Sequence, residues 1–475
     1  MNGSAILQDL NYEILYSSTL IEGVNTLKDF HIWFAERVQS KKFEVNLTRL
    51  DSLKGWSMDN ISGTYGHESG KFFTINGLDV QLEMGEDNKH WTQLIVNQSD
   101  QGILGLLAKR IDGVIHVLIQ AKMEPGNIGF VQVSPTVQAT KSNYTRVHGG
   151  KKPKFIEYFL GKVHGEALFN QLRSEQGSRY YRKRNQNIIF LLDDHHEVKK
   201  DNDFFWLTLG QLQELHKIPN LVHLDCRSII GGMPFSIPSE ENNHPIISMG
   251  NKTRIASLYC NDLDALNTQR ALLSWFTKEK MRHIKNTKLV SINEAKNWSF
   301  DGNSIMHKSG KFFDLVGVNV YSPGREVTSW SQPLIKCAEG GVIGLIAQNH
   351  NGILHFLIHA RFEAGFIDSV ELAPTVQFTP QNYNTPTKNI SPPFIEYFEE
   401  NREYETLVDT FLSNEGGRFY RSQNHHIIVE VSSSKKIDIP EGYSWMTLSQ
   451  LHFFGTMELT LNIELRSLLF CLTLS

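Results

Sequence analysis

Two stretches of this chain concentrate side chains that can hold anions and move protons. The first runs from Ser134 to His148 and offers hydroxyls, amides, a phenol, two cations and an imidazole, among them Thr136, Gln138, Asn143, Tyr144, Arg146 and His148. It reads as a loop, and loops carried on a rigid scaffold are where binding groups collect. The second runs from Ser174 to Arg182 and sets Arg179 and Arg182 on either side of Tyr180 and Tyr181. Guanidinium groups bind phosphate oxygens in pairs and an aromatic ring stacks on a planar base, so this pattern suits a diphosphate. A plain surface arginine beside a half-buried tyrosine would give the same local text.

A third set follows from alternation. Between Val114 and Lys122 the apolar residues Ile115, Val117, Ile119 and Ala121 fall on one strand face. His116, Leu118, Gln120, Lys122 and Glu124 fall on the other. That face is either a solvated sheet surface or the wall of a polar pocket.

An internal control decides how to weigh these groups, because the chain is written twice. A step of 239 residues carries Trp91 onto Trp330, Gly102 onto Gly341 and Arg179 onto Arg418. It also carries Arg227-Ser228 onto Arg466-Ser467. Two such long units form a duplicated domain rather than a solenoid. The second copy keeps Arg361, Glu363, Thr375, Gln377, Asn382, Tyr383, Arg418 and Tyr420. It replaces Arg146 and His148 by Thr385 and Thr387, Lys141 by Pro380, and Pro125-Gly126-Asn127 by Ala364-Gly365-Phe366. Both units therefore look built to bind something similar, with the first more fully equipped. The expected division is a first unit over 1–230, a Pro-, Ser- and Asn-rich linker over 231–252 and a second unit over 253–475.

The elements that must position these groups follow from local pattern. Helices are expected at Asp29–Ser40 and Thr268–Arg282, around Trp33-Phe34 and Trp275-Phe276. Asp112-Gly113 and Asn351-Gly352 each join two β-rich runs, and supply the positive φ angles of a tight hairpin. A helix over Phe155–Glu175, a strand over Ile188–Leu192 and a helix over Thr208–His216 complete the unit. Helices and strands interleave, so the class is α/β or α+β, each unit a mixed sheet flanked by helices.

Composition excludes several classes. A formal charge of −4 argues against a nucleic-acid-binding surface. The four cysteines form no Cys-x-x-Cys pair, which removes the usual zinc and redox spacings and suits a reducing cytoplasm. No signal peptide or membrane-spanning run is legible. Phosphate loops, dinucleotide fingerprints, zinc-protease helices and nucleophile elbows are absent as motifs. His195-His196 and His425-His426 are neighbours on extended chain and point apart, a poor chelate.

Gln120 to Asn127, Ser134 to His148, Trp206 to Leu212, Glu415 to Tyr420 and Arg466 to Leu469 together resemble the NDP-hexose 2,3-dehydratase family, from about Phe30 to the C-terminus. The resemblance implies two fused Nudix-like units, a homodimer, and a dTDP-4-keto-6-deoxy-D-glucose substrate. The implied product is dTDP-3,4-diketo-2,6-dideoxy-D-glucose, consumed by an NAD(P)H-dependent 3-ketoreductase. The ketone already activates the carbon, so neither redox cofactor nor metal is needed. We expect the first unit to hold the working site. His148 or Tyr144 would carry the proton, with Glu124 the alternative base, and Lys122 or Arg146 would face the oxyanion. Thr136, Gln138 and Asn143 would contact substrate, and Arg179, Tyr181 and Arg182 would hold the nucleotide diphosphate. Arg361, Thr375, Gln377, Asn382, Tyr383, Arg418 and Tyr420 would line a second pocket that binds nucleotide without catalysis. A non-catalytic sugar-nucleotide binder, or a Nudix-type hydrolase, would be the alternatives. The hydrolase requires a run of magnesium-binding carboxylates that neither copy contains.

Overall fold

The computed structural model describes residues 3–144, 152–233, 251–323, 327–385, 388–389, 391–400 and 402–474. Each half is built on a seven-stranded mixed sheet. In the first, the order is Gly165–Ser174, Arg184–Leu192, Ile103–Ile111, Val114–Met123 and Phe204–Thr208. Val131–Ser134 pairs with Val114–Met123, and Val137–Ala139 with Ile103–Ile111. One pairing is parallel, Arg184–Leu192 on Ile103–Ile111, and its neighbours are antiparallel. The second half repeats the order with Glu405–Ser413, Gln423–Glu430, Gly341–His350, Ile353–Phe362 and Tyr443–Thr447. The hairpins turn as expected, with Asp112 and Gly113 at φ 51° and 77°, and Asn351 and Gly352 at φ 54° and 85°. Both expected Trp-Phe helices form, at Leu27–Ser40 and Gln269–Arg282.

The expected helix over Phe155–Glu175 does not form. Helix covers only Ile156–Phe159, and Gly165–Ser174 is a strand. Gly161, at φ 67°, stops the turn, and the residues beyond it gain a ladder with Arg184–Leu192. Tertiary pairing overrides an amphipathic helical pattern here.

The halves are interwoven. Glu44–Thr48 of the first half pairs along its whole length with Phe313–Tyr321 of the second, and His283–Val290 of the second pairs with Thr74–Met84 of the first. One buried cluster holds Leu106, Val117 and Leu207 together with Leu345, Phe356 and Leu465, so the two large sheets share a core. The helices Leu224–Gly231 and Ile463–Cys471 close this core by a reciprocal exchange. Arg227 Nε donates to Ser467 Oγ at 2.8 Å, and Arg466 Nε donates to Ser228 Oγ at 2.9 Å. Both arginines are buried, so the recurrence of Arg-Ser marks the seam between halves rather than a ligand site.

Two glycine-rich turns cross the same seam. Gly126 N–H donates to Gly416 O at 2.8 Å, and Gly365 N–H donates to Gly177 O at 2.7 Å. A Cβ on Gly126 would lie 1.6 Å from Phe419 O, and one on Gly365 1.9 Å from Tyr180 O. Only glycine admits so close a backbone approach.

Candidate active site

The face of Val114–Met123 turned away from the shared core ends in Lys122, and Glu124 follows where the strand stops. Val137–Ala139 adds Gln138 beside them. Lys122 Nζ donates to Gln138 Oε1 at 2.6 Å and lies 3.2 Å from Glu124 Oε1. Gln138 Nε2 donates to the same carboxylate oxygen at 3.0 Å. The other oxygen, Glu124 Oε2, lies 2.9 Å from His223 Nε2. His223 caps the helix Leu224–Gly231, its Nδ1 accepting the Asp225 N–H at 3.2 Å. An accepting Nδ1 leaves the ring proton on Nε2, so His223 donates to Glu124.

Glu124 thus accepts from three side chains. Burial alone would push its carboxyl up, but the charge of Lys122 and the hydrogen bonds from His223 and Lys122 outweigh burial and hold it well below the usual carboxylate range. A carboxylate so fully engaged is a weak base. Its geometry fits it to hold Lys122 and Gln138, rather than to abstract a proton as the sequence allowed. The Lys122 side chain stays 21% exposed, with its ammonium anchored on Gln138 and Glu124.

The second half builds a related cluster with different wiring. Arg361 Nε donates to Glu363 Oε1 at 3.1 Å, and Gln377 Nε2 to the same oxygen at 3.2 Å. Asn462, at the place of His223, donates instead to Gln377 Oε1 at 3.1 Å. Glu363 Oε2 is taken by the main-chain N–H of Ser178, from the first half, at 2.8 Å. Behind it, burial and the Glu363 charge push Glu464 up to about 8. His359 stacks on Tyr443 at 4.3 Å, and burial with the Arg361 charge pushes it down to about 3.

The arginine–tyrosine turns are exchanged between the sites. Ser178 touches Glu363 and Arg182 N–H donates to Gly365 O at 2.7 Å, so the turn with Arg179, Tyr181 and Arg182 lies on the second cluster. The turn with Arg418 and Tyr420 lies on the first. Arg421 N–H donates to Gly126 O at 2.7 Å, and a Cβ on Gly417 would be 3.8 Å from both Glu124 oxygens. This corrects the grouping by sequence neighbourhood, which put Arg179 and Arg182 with Glu124. The Arg179 guanidinium lies over the Phe313 ring at 4.7 Å, and that of Arg418 over Phe73 at 4.2 Å. Arg182 is exposed and rests on Tyr181.

Thr136 and Thr375 lie in the bends between Val131–Ser134 and Val137–Ala139 and between Val370–Ala373 and Val376–Phe378, and their hydroxyls tie the sheets together. Each hydroxyl donates to the carbonyl of Leu118 or Leu357 and accepts from Leu107 N–H or Ile346 N–H, and both are buried. They are spent before a ligand could reach them. Asn382 Oδ1 accepts the Phe312 N–H at 2.8 Å, and Tyr383 packs on Phe378 at 4.8 Å. Tyr144 is half-buried beside the aromatic cluster of Phe155 and Tyr158. Arg146 and His148, and the side chain of Asn143, lie outside the described residues. His116 and His355 are structural, each accepting a main-chain N–H, from Val24 and Leu266.

Two open clefts lie apart from this cluster. One of about 460 Å³ is lined by Lys109, Asp112, Asp194 and Trp206; another of about 330 Å³ is lined by Gln101, Tyr144, Asn170 and Glu458. Neither lining includes Lys122 or Glu124, and we place the site by its chemistry. Among the described residues no group of three or more His, Cys, Asp or Glu gathers as a metal site, and no helix is long and apolar enough to cross a membrane.

Sequence reasoning missed His223 and Asp225. The available signal was a polar pair four and two residues ahead of Arg227, which the 239-residue step aligns with Asn462 and Glu464.

Residues 27–233 and 269–472 match the profile of a family described as NDP-hexose 2,3-dehydratase. The chain is similar to proteins named dTDP-4-dehydro-6-deoxy-alpha-D-glucopyranose 2,3-dehydratase from three bacteria. The one from Saccharopolyspora spinosa is 39% identical over 446 residues, covering 94% of this chain and 91% of that protein. The one from Streptomyces violaceoruber is 39% identical over 450 residues, covering 93% and 96%. The one from Amycolatopsis orientalis is 36% identical over 464 residues, covering 97% and 93%.

Proposed function

The chain belongs to the NDP-hexose 2,3-dehydratase family, and from that premise we propose how its two halves divide the work. It is a hydro-lyase that removes water across C2 and C3 of dTDP-4-keto-6-deoxy-D-glucose. The C4 ketone acidifies the C3 hydrogen. A base takes that proton, electron density moves onto the C4 oxygen, and the C2 hydroxyl leaves with a proton as water. The resulting enol takes a proton at C2, gives up its C3 hydroxyl proton and becomes the 3,4-diketo-2,6-dideoxy sugar, one water lighter than the substrate.

The observation that carries the assignment to the first half is Lys122, a partly exposed side chain fixed by Gln138 and by Glu124, whose other oxygen is held by His223 where the second half has Asn462 on Gln377. A preorganised cation is what a developing C4 oxyanion requires. Tyr144 and His148, in the segment that follows Gln138, are our candidates for proton transfer, and Arg146 for a further cation. Asn143 is a candidate for the sugar hydroxyls. Arg418 and Tyr420 are our candidates for diphosphate and base in this site, because their turn lies on Gly126. Arg179, Tyr181 and Arg182 serve the second pocket with Arg361, Gln377, Asn382 and Tyr383, which binds nucleotide without turnover.

We read each half as a Nudix-like unit, supported by its mixed sheet with one parallel pair and flanking helices. The working form in this reading is a cytoplasmic homodimer whose product passes to an NAD(P)H-dependent 3-ketoreductase. Incubation with the 4-keto-6-deoxy nucleotide sugar, coupled to such a reductase, tests the function. Loss of one water by mass spectrometry is expected; recovery of unchanged substrate would refute it.

A further inference from the structure

We propose that His223 is the positioning residue of the Lys122–Glu124 pair, and that having an imidazole here, where the second half has Asn462, fits the first half to be the working one. The inference rests on the site proposed above. Glu124 Oε1 receives both Lys122 and Gln138, whereas Oε2 receives His223 alone among the side chains. The terminal torsion of a glutamate is broad, so two partners on one oxygen leave the carboxylate free to turn. A third on the other oxygen fixes its plane. His223 is itself immobile. Its ring is fully buried, and its Nδ1 is tied to the Asp225 main chain with the Asp225 carboxylate 3.8 Å away. Rigidity therefore passes from the helix start at Leu224, through the imidazole and the carboxylate, to the Lys122 ammonium.

The second half shows what happens without the imidazole. Asn462 caps its helix as His223 does, through a bond to Leu465 N–H, but bonds Gln377 and leaves Glu363 to the Ser178 amide. There the third donor comes from the opposite half, across the seam, and is neither titratable nor on the same rigid element. Catalytic cations must be held within a fraction of an ångström of the developing charge, and mispositioning by about 1 Å can cost on the order of 10²-fold.

Substitution at 223 separates donor from cap. His223→Asn keeps the cap, as Asn462 demonstrates, but places its amide at the reach of Nδ1, short of Glu124. His223→Gln places an amide N–H near the reach of Nε2 and keeps the donor. We expect His223→Asn to lower kcat roughly tenfold or more with KM within about threefold. His223→Gln should stay within about threefold of the parent in kcat. In a Glu124→Gln background, His223→Asn should cause no further loss, because the group it positions is gone. Equal effects of Asn and Gln, a change confined to KM, or a loss that persists in the Glu124→Gln background would each overturn the inference. Full activity of Glu124→Gln itself would instead overturn the proposed site.

Discussion

Replacing Gly126 by alanine tests how tightly the two halves depend on each other. The new methyl would lie 1.6 Å from Phe419 O, 2.7 Å from its carbonyl carbon and 2.9 Å from Gly416 O. All three are backbone atoms, so no side chain can swing aside. Ordinary contact begins near 3.4 Å, so the turn must retreat by close to 2 Å. That retreat breaks the bonds from Gly126 N–H to Gly416 O and from Arg421 N–H to Gly126 O. An unmade buried backbone bond costs about 1–3 kcal/mol, so the pair amounts to roughly 2–6 kcal/mol. This is a large fraction of the roughly 5–15 kcal/mol that holds an ordinary protein folded. Urea unfolding followed by tryptophan fluorescence should show a lower midpoint. Gly365→Ala, with its 1.9 Å clash against Tyr180 O, should destabilise by a similar amount. The two should differ in catalysis: Gly126→Ala disturbs the turn after Glu124 and should lower kcat more than about tenfold, well beyond the effect of Gly365→Ala. Unchanged midpoints in both variants would refute the interlocked seam, and equal losses of kcat would refute the asymmetry.

Three further outcomes follow from buried groups. Arg227→Ala strands Ser413 O and Ser467 Oγ, and should destabilise by about 3–5 kcal/mol in urea unfolding. Thr136→Val removes the hydroxyl that bridges Leu107 and Leu118, and should cost about 1–3 kcal/mol while kcat and KM stay within about twofold. Burial pushes Glu371 up to about 7, against the lowering effects of Ser174 and Arg466. A carboxyl raised above its unfolded value of 4.5 stabilises the fold fully below that value, and the contribution is lost as pH rises through about 7. Glu371→Gln should therefore flatten the fall of unfolding free energy across that window, by at most about 1.4 kcal/mol per pH unit.

Local physics made much of the fold legible. Asp-Gly and Asn-Gly forced the hairpins, and alternation put Ile115, Val117 and Ile119 in the core. The duplication exposed Lys122, Glu124 and Gln138 through their matched types. The rest depended on contacts between distant segments. Nothing local says that Glu44–Thr48 pairs with Phe313–Tyr321, or that the turn carrying Arg179 lies on the opposite half. Recurrence also misled where the shared constraint was structural: Thr136 recurs because its hydroxyl bridges Leu107 and Leu118 within the sheet. His223 was hidden for the converse reason, since its counterpart is a different residue.

Steady-state turnover of Lys122→Met beside Arg361→Met tests the division of labour most directly. The account predicts that the lysine variant loses about 10²-fold or more in kcat, the usual effect of deleting an oxyanion donor, while the arginine variant loses less than about tenfold. The reverse order, or equal losses, would contradict it.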